Sequence, residues 1–355
     1  MAAGETVTVT RSDPGSAGIR RRRRGRGFSY TGPDAAVIKD PRTLARIKSL
    51  VIPPAWEDVW ICADPLGHIQ AVGTDSAGRR QYRYHDLWRE QRDRDKHDRV
   101  LDFGAALPRL RQVVARHMEA EGLSRERVLA AAIRLIDLGF FRPGGEEYAA
   151  ENGTFGLATI RKDHVAIRKG QLVFEYTAKG AKHREQAVAE DHVCAAVRSL
   201  KRRRGGGDRL LAYRSGTRWH DVCAADINAY LREITGGDYT AKDFRTWHAT
   251  VLAAVGLAVS ERAAGTDSAR KRAIARVVAE VADYLGNTPA VARASYIDPR
   301  VIDSYKRGDT IAATLGDLGR DGTFGDLATR GRAESAVVQL LARQAGKPEG
   351  ARRQA

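Results

Sequence analysis

Gly286-Asn-Thr-Pro-Ala-Val-Ala-Arg-Ala-Ser-Tyr296 is the stretch on which the reading of this chain turns. Thr288-Pro289 predicts a helix start, because the hydroxyl accepts from an unpaired amide and proline lacks only an N–H that the first turn leaves unused. A short helix carrying Ala290, Val291, Ala292 and Ala294 then ends at Tyr296, with Asp298-Pro299 to stop it. A phenol delivered at the end of such a helix, beside Arg293, is either an ordinary packing tyrosine or a reactive group. The rest of the chain decides between the two.

With 355 residues and 43% hydrophobic content, the chain has the length for two domains with their own cores. Its 60 Lys plus Arg against 44 Asp plus Glu leave a formal net charge of +16, which points to a polyanionic partner, nucleic acid first. A basic protein that is merely soluble is the alternative. Cys62, Cys194 and Cys223 are scattered and lack CxxC spacing, so neither a disulfide framework nor a zinc site is expected. The chain has no apolar run of about 18 residues and no apolar signal core, so no membrane span is expected and the cytoplasm is the expected location.

Residues 1–27 read as a disordered basic tail, ending in Arg20–Arg24 and Gly25-Arg26-Gly27, either sampling phosphate backbones or simply solvated. Residues 28–99 read as a small antiparallel β domain. Its last strand carries Gln81, Arg83 and His85 on one face and Tyr82 and Tyr84 on the other. Gln and Arg can contact base edges and tyrosine can contact bases or sugars, although half-buried strand tyrosines explain the pattern equally well. The charge-alternating run Trp88–Arg99 reads as an exposed helix or linker.

The larger domain, residues 100–330, opens with helices over 107–119 and 124–137, whose apolar end at Phe140 and Phe141 launches Arg142 into Pro143-Gly144-Gly145. That arginine is either a phosphate contact or a helix-capping cation. Strands are expected at 155–160, 165–167 and 172–176, forming an antiparallel meander that ends in a turn with Lys179 and Lys182, each a general acid or a loop cation. Everything beyond reads as helical. Lys242-Asp243-Phe244-Arg245 opens the most apolar helix, and residues 331–355 hold one more helix and a polar tail. The expected fold class is therefore α+β: a small N-terminal antiparallel β-sheet domain and a larger, mainly α-helical domain with a three-stranded antiparallel sheet.

Phe141-Arg142-x-Gly, Glu151-Asn-Gly-Thr-Phe-Gly-Leu157, the Lys179 turn, Lys242-Asp-Phe-Arg-Thr246 and Gly286-Asn-Thr-Pro289 followed by Tyr296 resemble type IB DNA topoisomerases, in particular the small poxvirus and bacterial branch. Gln81-Tyr82-x-Tyr84 matches that branch's N-terminal domain, so the resemblance spans roughly residues 28–325. The order of the motifs, and the intervals from Arg142 to Lys179 and from Asn287 to Tyr296, carry it. The resemblance implies a two-domain clamp on duplex DNA that relaxes supercoils through a 3′-phosphotyrosyl intermediate. Tyr296 would be the nucleophile, Arg142 and Arg245 would hold the non-bridging oxygens, and Lys179 would protonate the departing 5′-oxygen, with Lys182 as its rival. Asn287 stands where viral relatives have histidine and would supply a hydrogen bond only. Gln81, Tyr82, Tyr84, Lys242 and Tyr148 make up the expected DNA-contacting set. A bacterial, nucleoid-associated monomer is implied.

The residues suit that chemistry. Phosphoryl transfer needs positioning and neutralisation of oxygen charge, which fixed guanidinium groups provide without titrating. The phosphotyrosine keeps the bond energy, so neither ATP nor metal nor any other cofactor is expected, and no GxxxxGK[ST] loop is present. Two other readings compete. A tyrosine recombinase would carry His-x-x-Arg where this chain has Lys242-x-x-Arg245, and a non-enzymatic architectural DNA-binding protein would lack one of the catalytic side chains.

Overall fold

Ile19 is buried, and that one contact turns the N-terminal arginine run into a strand. The structure is a computed structural model, and it describes residues 8–139, 141–261, 265–318 and 330–345. Strand β1 (Ile19–Arg24) pairs antiparallel with β2 (Gly27–Thr31) across a turn in which Gly25 adopts φ +56°. Arg21 lies 4.2 Å over the Phe28 ring and donates to the carbonyls of Pro53 and Trp56. The expected disordered tail over residues 1–27 is thus corrected: arginine stems cover apolar surface and the heads find acceptors, which composition alone hides. Residues 1–7, the early part of that tail, lie outside the described residues.

Helix α1 (Pro41–Ser49) begins at Asp40, whose carboxylate accepts from the Thr43 amide at 2.8 Å. Strands β3 (Glu57–Ile61), β4 (Ile69–Thr74) and β5 (Arg80–Tyr84) complete a five-stranded antiparallel sheet in the order β2-β1-β3-β4-β5. Trp60 pairs with Val72 and Val72 with Tyr82, so Tyr82 shares a face with Trp60. On the opposite face Ile19, Ile47, Val59, Ile61 and Ala71 form a core with α1.

Helix α2 (Asp86–Met118) absorbs both the expected linker and the expected helix over 107–119. The chain divides into two compact units, residues 1–97 and 98–355, and the division falls within α2. In the second unit α3 (Arg125–Gly139) is buried along most of its length, from Val128 to Ile136, and Phe141 continues into the same core. Phe140, expected beside it, lies outside the described residues.

After α4 (Glu146–Asn152) the expected strand over 155–160 is corrected to a 3₁₀ turn, Leu157–Thr159. Gly156 packs so tightly against Gly144 that neither has room for a side chain, and the amides of Leu157 and Ala158 donate to the carbonyls of Arg142 and Pro143 at 2.8 Å each. Apart from the Phe155 amide, which donates to Thr177 O at 2.8 Å, the segment turns onto the Arg142 loop and pairs in no ladder among the described residues. The three-stranded antiparallel sheet consists of β6 (Val165–Arg168), β7 (Gln171–Ala178) and β8 (Lys182–Val188), so its third strand lies one hairpin later than the sequence suggests.

Helix α5 (Asp191–Arg202) follows. A hairpin of β9 (Ala212–Ser215) and β10 (Arg218–Asp221), with Gly216 at φ +57° in its turn, falls between the helices where the sequence suggested only a surface loop. Helices α6 (Ala224–Thr235), α7 (Ala241–Ser260), α8 (Asp267–Leu285), α9 (Pro289–Ser295), α10 (Pro299–Lys306) and α11 (Ala312–Leu318) then build the helical body. Helix α12 (Arg332–Ala345) buries Val337 and Leu341. Its Glu334 accepts from Arg111 and from Trp247 Nε1, tying it to α2 and α7. Among the described residues no helix is long and apolar enough to cross a membrane.

Candidate active site

Phe141 fixes the base of the site. Its ring meets Phe174 edge-on at 4.8 Å between centroids and stacks on Tyr176 at 6.2 Å, so the residue that follows leaves the core on a rigid anchor. That residue is Arg142. Its Nη2 donates to Asn287 Oδ1 at 2.9 Å and lies 3.4 Å from the carbonyls of Leu285 and Gly286, at the C-terminal end of α8. These carbonyls form the negative end of that helix, so they hold the guanidinium without neutralising it as a carboxylate would.

Arg245 arrives from the first turns of α7 and is 4% exposed. Its Nη2 donates to Leu285 O at 2.9 Å, and its Cζ stands 5.4 Å from the centre of the Tyr296 ring, with the phenol in hydrogen-bonding reach. Burial, reinforced by the Arg142 charge, pushes Arg245 down to about 10, and burial lowers Arg142 as well. Both remain cationic at neutral pH. Asp243, the one acid in Lys242-Asp243-Phe244-Arg245, is turned away: it accepts from the Thr240 amide at 2.8 Å and pairs with Arg99 at 3.0 Å. Lys242 and Arg245 are thus left facing the cleft.

Helix α7 positions Tyr296 as well. Thr250, further along the same helix, donates through Oγ1 to the Tyr296 carbonyl at 3.3 Å and accepts from the Asp298 amide at 3.1 Å. The entry to α9 is the one that the sequence predicts: the Thr288 side chain accepts from Val291 N, and Pro289 occupies the first turn. Gly286, at φ +66°, ends α8 in the left-handed conformation and lets the chain reverse toward Tyr296.

One cleft is lined by Arg142, Lys179, Lys182, Lys242, Arg245, Asn287 and Tyr296, with no carboxylate among its described lining residues. Lys179 sits at the β7–β8 turn, where Gly180 takes φ +80° and Ala181 +56°, and Lys182 starts β8. The structure brings both lysines to the cleft and does not choose between them. Asn287 spends its oxygen on Arg142, while its Nδ2 is buried without a hydrogen-bond partner. Gln81, Tyr82 and Tyr84 lie on β5 in the first unit. There Gln81 Nε2 donates to Asp75 Oδ2 at 2.9 Å, while Tyr82 and Tyr84 stack at 6.1 Å on the opposite face. Tyr148 falls in α4, but its side chain lies outside what the structure describes.

Sequence reading missed Arg184. It faces Tyr176 across the β7–β8 ladder and lines a smaller pocket that adjoins the cleft and shares Arg142, Lys179, Lys182 and Arg245 with it. The signal was the length of β7: a strand running to Ala178 puts the hairpin turn at Lys179-Gly180-Ala181 and Arg184 in the returning strand.

A tyrosine under a buried arginine, with a second arginine and lysines around it and no acid among the described lining residues, has the side chains that the resemblance to type IB topoisomerases implies. Residues 85–313 match the family model of the eukaryotic DNA topoisomerase I catalytic core, and residues 27–75 match that of the bacterial DNA topoisomerase IB N-terminal domain. The chain belongs to the DNA topoisomerase IB family. DNA topoisomerase 1B of Acanthamoeba polyphaga mimivirus is 31% identical over 297 residues, covering 81% of this chain and 88% of the relative. DNA topoisomerase I of monkeypox virus and DNA topoisomerase 1B of vaccinia virus strain Copenhagen are each 21% identical over 279 residues, 78% of this chain and 84% of theirs.

Proposed function

We propose that this chain relaxes supercoiled duplex DNA by cutting and rejoining one strand through Tyr296. The observation that carries the reading is the Arg142–Asn287–Arg245 frame built on the α8 terminus against the Tyr296 ring. Tyr296 Oη attacks the phosphorus of a backbone phosphodiester and loses its proton to solvent. The bond from phosphorus to the 5′-oxygen breaks, and Lys179 gives that oxygen a proton. The reverse sequence rejoins the strand, so bond energy is conserved through the intermediate.

Arg142 and Arg245 neutralise the charge that builds on the non-bridging oxygens, and the free Nδ2 of Asn287 donates to one of them. A preset pair of guanidinium groups needs no reorganisation at the moment of reaction, which is where most of the rate advantage of such sites lies. Gln81, Tyr82, Tyr84, Lys242 and Tyr148 serve as contacts to the duplex, and the enzyme works as a nucleoid-associated bacterial monomer. The deciding experiment is relaxation of a supercoiled plasmid in EDTA without ATP by the wild type and by Tyr296→Phe. The wild type is expected to relax it and the variant to bind without relaxing. A covalent DNA adduct formed by Tyr296→Phe would overturn the assignment.

A further inference from the structure

Arg184 is a half-buried arginine with neither a carboxylate nor a carbonyl set against it among the described hydrogen bonds and ion pairs. Arg111, Arg300 and Arg209, by contrast, are anchored by acids, Arg111 by Asp137 and Glu334, Arg300 by Asp98 and Asp298, and Arg209 by Glu146, while Arg203 and Arg245 donate to carbonyls. Arg184 is half-buried on β8, and among the described residues it makes no salt bridge; its guanidinium is pressed onto the α carbon of Gly286, where a side chain would collide with it. Its charge acts on Arg142, Arg245 and Tyr176 alike, so the three guanidinium groups sit close enough to repel one another. Like charges gathered at a half-closed site raise one another's energy, so such a site favours an anion.

The positions of the two pockets say which anion. Tyr296 lines the larger cleft and not the smaller pocket, whereas Arg184 lines the smaller and not the larger. Arg142, Lys179, Lys182, Arg245 and Gly286 line both, so they form the wall between the two residues. In an in-line displacement the attacking and departing oxygens lie on opposite sides of the phosphorus. If the phosphorus sits at the shared wall with Tyr296 on one side, the strand that leaves runs out on the side of Arg184.

We infer that Arg184 is a further substrate-binding residue, which grips the first phosphate on the 5′-hydroxyl side of the scissile bond and so holds the departing strand end in place for rejoining. The inference rests on the reading of Tyr296 as nucleophile. It gives Arg184 a larger part in religation than in cleavage. The 5′-hydroxyl must return to the phosphotyrosine, and its backbone is the part that Arg184 restrains.

The test uses the full chain as wild type, Arg184→Ala and Arg184→Gln, the last keeping most of the side-chain volume. Substrates are short duplexes that trap the covalent adduct, carrying native phosphates or one uncharged methylphosphonate, placed either at the first phosphate on the 5′-hydroxyl side or at the first on the opposite side. Single-turnover adduct formation and religation by an added 5′-hydroxyl strand are measured. Losing a charge-assisted hydrogen bond is expected to slow religation by about 10- to 100-fold in both variants, with a smaller effect on cleavage. The methylphosphonate on the 5′-hydroxyl side should slow the wild type by a comparable factor and slow the variants no further. Melting temperatures of the variants should stay at or above the wild-type value.

Religation by both variants within twofold of wild type, losses that multiply with that methylphosphonate, or coupling to the opposite phosphate instead would each overturn the inference. If Tyr296 is not the nucleophile, Tyr296→Phe still forms adduct on native DNA. That result is read independently of the Arg184 variants and takes the inference down with it.

Discussion

Arg142 and Asn287 are joined through one hydrogen bond, Nη2 to Oδ1 at 2.9 Å, and that bond fixes which end of the amide is left for the cleft. With its oxygen committed, Asn287 has only its Nδ2 donor left, and that donor has no partner. The residue thus orients Arg142 and offers a donor of its own, without being able to carry a proton.

Asn287→Ala is expected to slow covalent adduct formation by about 10-fold, through the lost donor and a looser Arg142. Asn287→Asp should be worse, by about 10²- to 10³-fold, because a carboxylate at that distance pairs with Arg142 and cancels the charge meant for phosphate. Single-turnover cleavage of a trapping duplex measures both. Equal rates for the two variants would mean that the Arg142 contact has no catalytic weight.

Burying the Arg245 charge costs stability. Burial lowers its folded pKa to about 10 from an ordinary 12.5, so at neutral pH the folded protein holds a charge that the unfolded chain holds more comfortably. The sign follows: between those two values the unfolded state binds more protons, and stability rises with pH across that window. Arg245→Met should therefore raise stability at pH 7 by on the order of 1 kcal/mol, since Arg142 Nη2 is already near the Leu285 carbonyl that loses its donor. It should also cut adduct formation by at least about 10²-fold. Urea unfolding and the trapping assay read the two effects, and a destabilised Arg245→Met would show that the buried charge is paired more fully than its geometry indicates.

Asp137 shows the reverse case. It is 1% exposed, and burial alone would raise its pKa, yet hydrogen bonds from His248 and Arg111, with the nearby Arg111 charge, hold it well below the usual carboxylate range. A depressed folded pKa contributes stability that is complete above the unfolded value of about 3.9 and is lost as pH falls through the folded one. Asp137→Asn should cost about 3–5 kcal/mol at pH 7, because Arg134 and Arg111 lose a buried partner, and it should flatten the acid limb of the stability curve. Urea midpoints measured from pH 7 to pH 3 test this. An unchanged acid limb would assign acid sensitivity to other carboxylates.

How much of this was legible in the sequence follows from the range of the interactions. The entry to α9 was readable because Thr288 bonds to Val291, three residues away, and Phe141-Arg142 because an apolar helix end must enter the core. The five-stranded sheet was under-read because β1 advertises itself as solvated charge, and only Ile19 meeting Ile61 turns it inward. Phe155–Ile160 has strand composition, but the amides of Leu157 and Ala158 bond to the Arg142 loop and those of Thr159 and Ile160 turn back on Gly156. Strand β8 is polar on both faces, so no alternation marks it, and Arg184 stayed invisible until its register with Tyr176 was known. Local caps and apolar anchors can be read from sequence. Pairings between distant segments, which assembled this cleft, cannot.

The assignment of the acid remains a choice between two lysines that line the same cleft, and chemistry separates them where position does not. Lys179 lies in the hairpin turn and Lys182 at the start of β8, three residues on. Replacing the departing 5′-oxygen with sulfur removes the need for a proton, because a thiolate leaves readily without one. A variant that lacks the acid should therefore cleave the sulfur substrate at nearly the wild-type rate while being slowed by about 10²- to 10⁴-fold on the oxygen substrate. A variant that lacks only a phosphate contact should be slowed on both. Rescue is expected for Lys179→Ala and not for Lys182→Ala; the opposite pattern moves the acid to Lys182, and rescue of neither takes general-acid catalysis away from this hairpin.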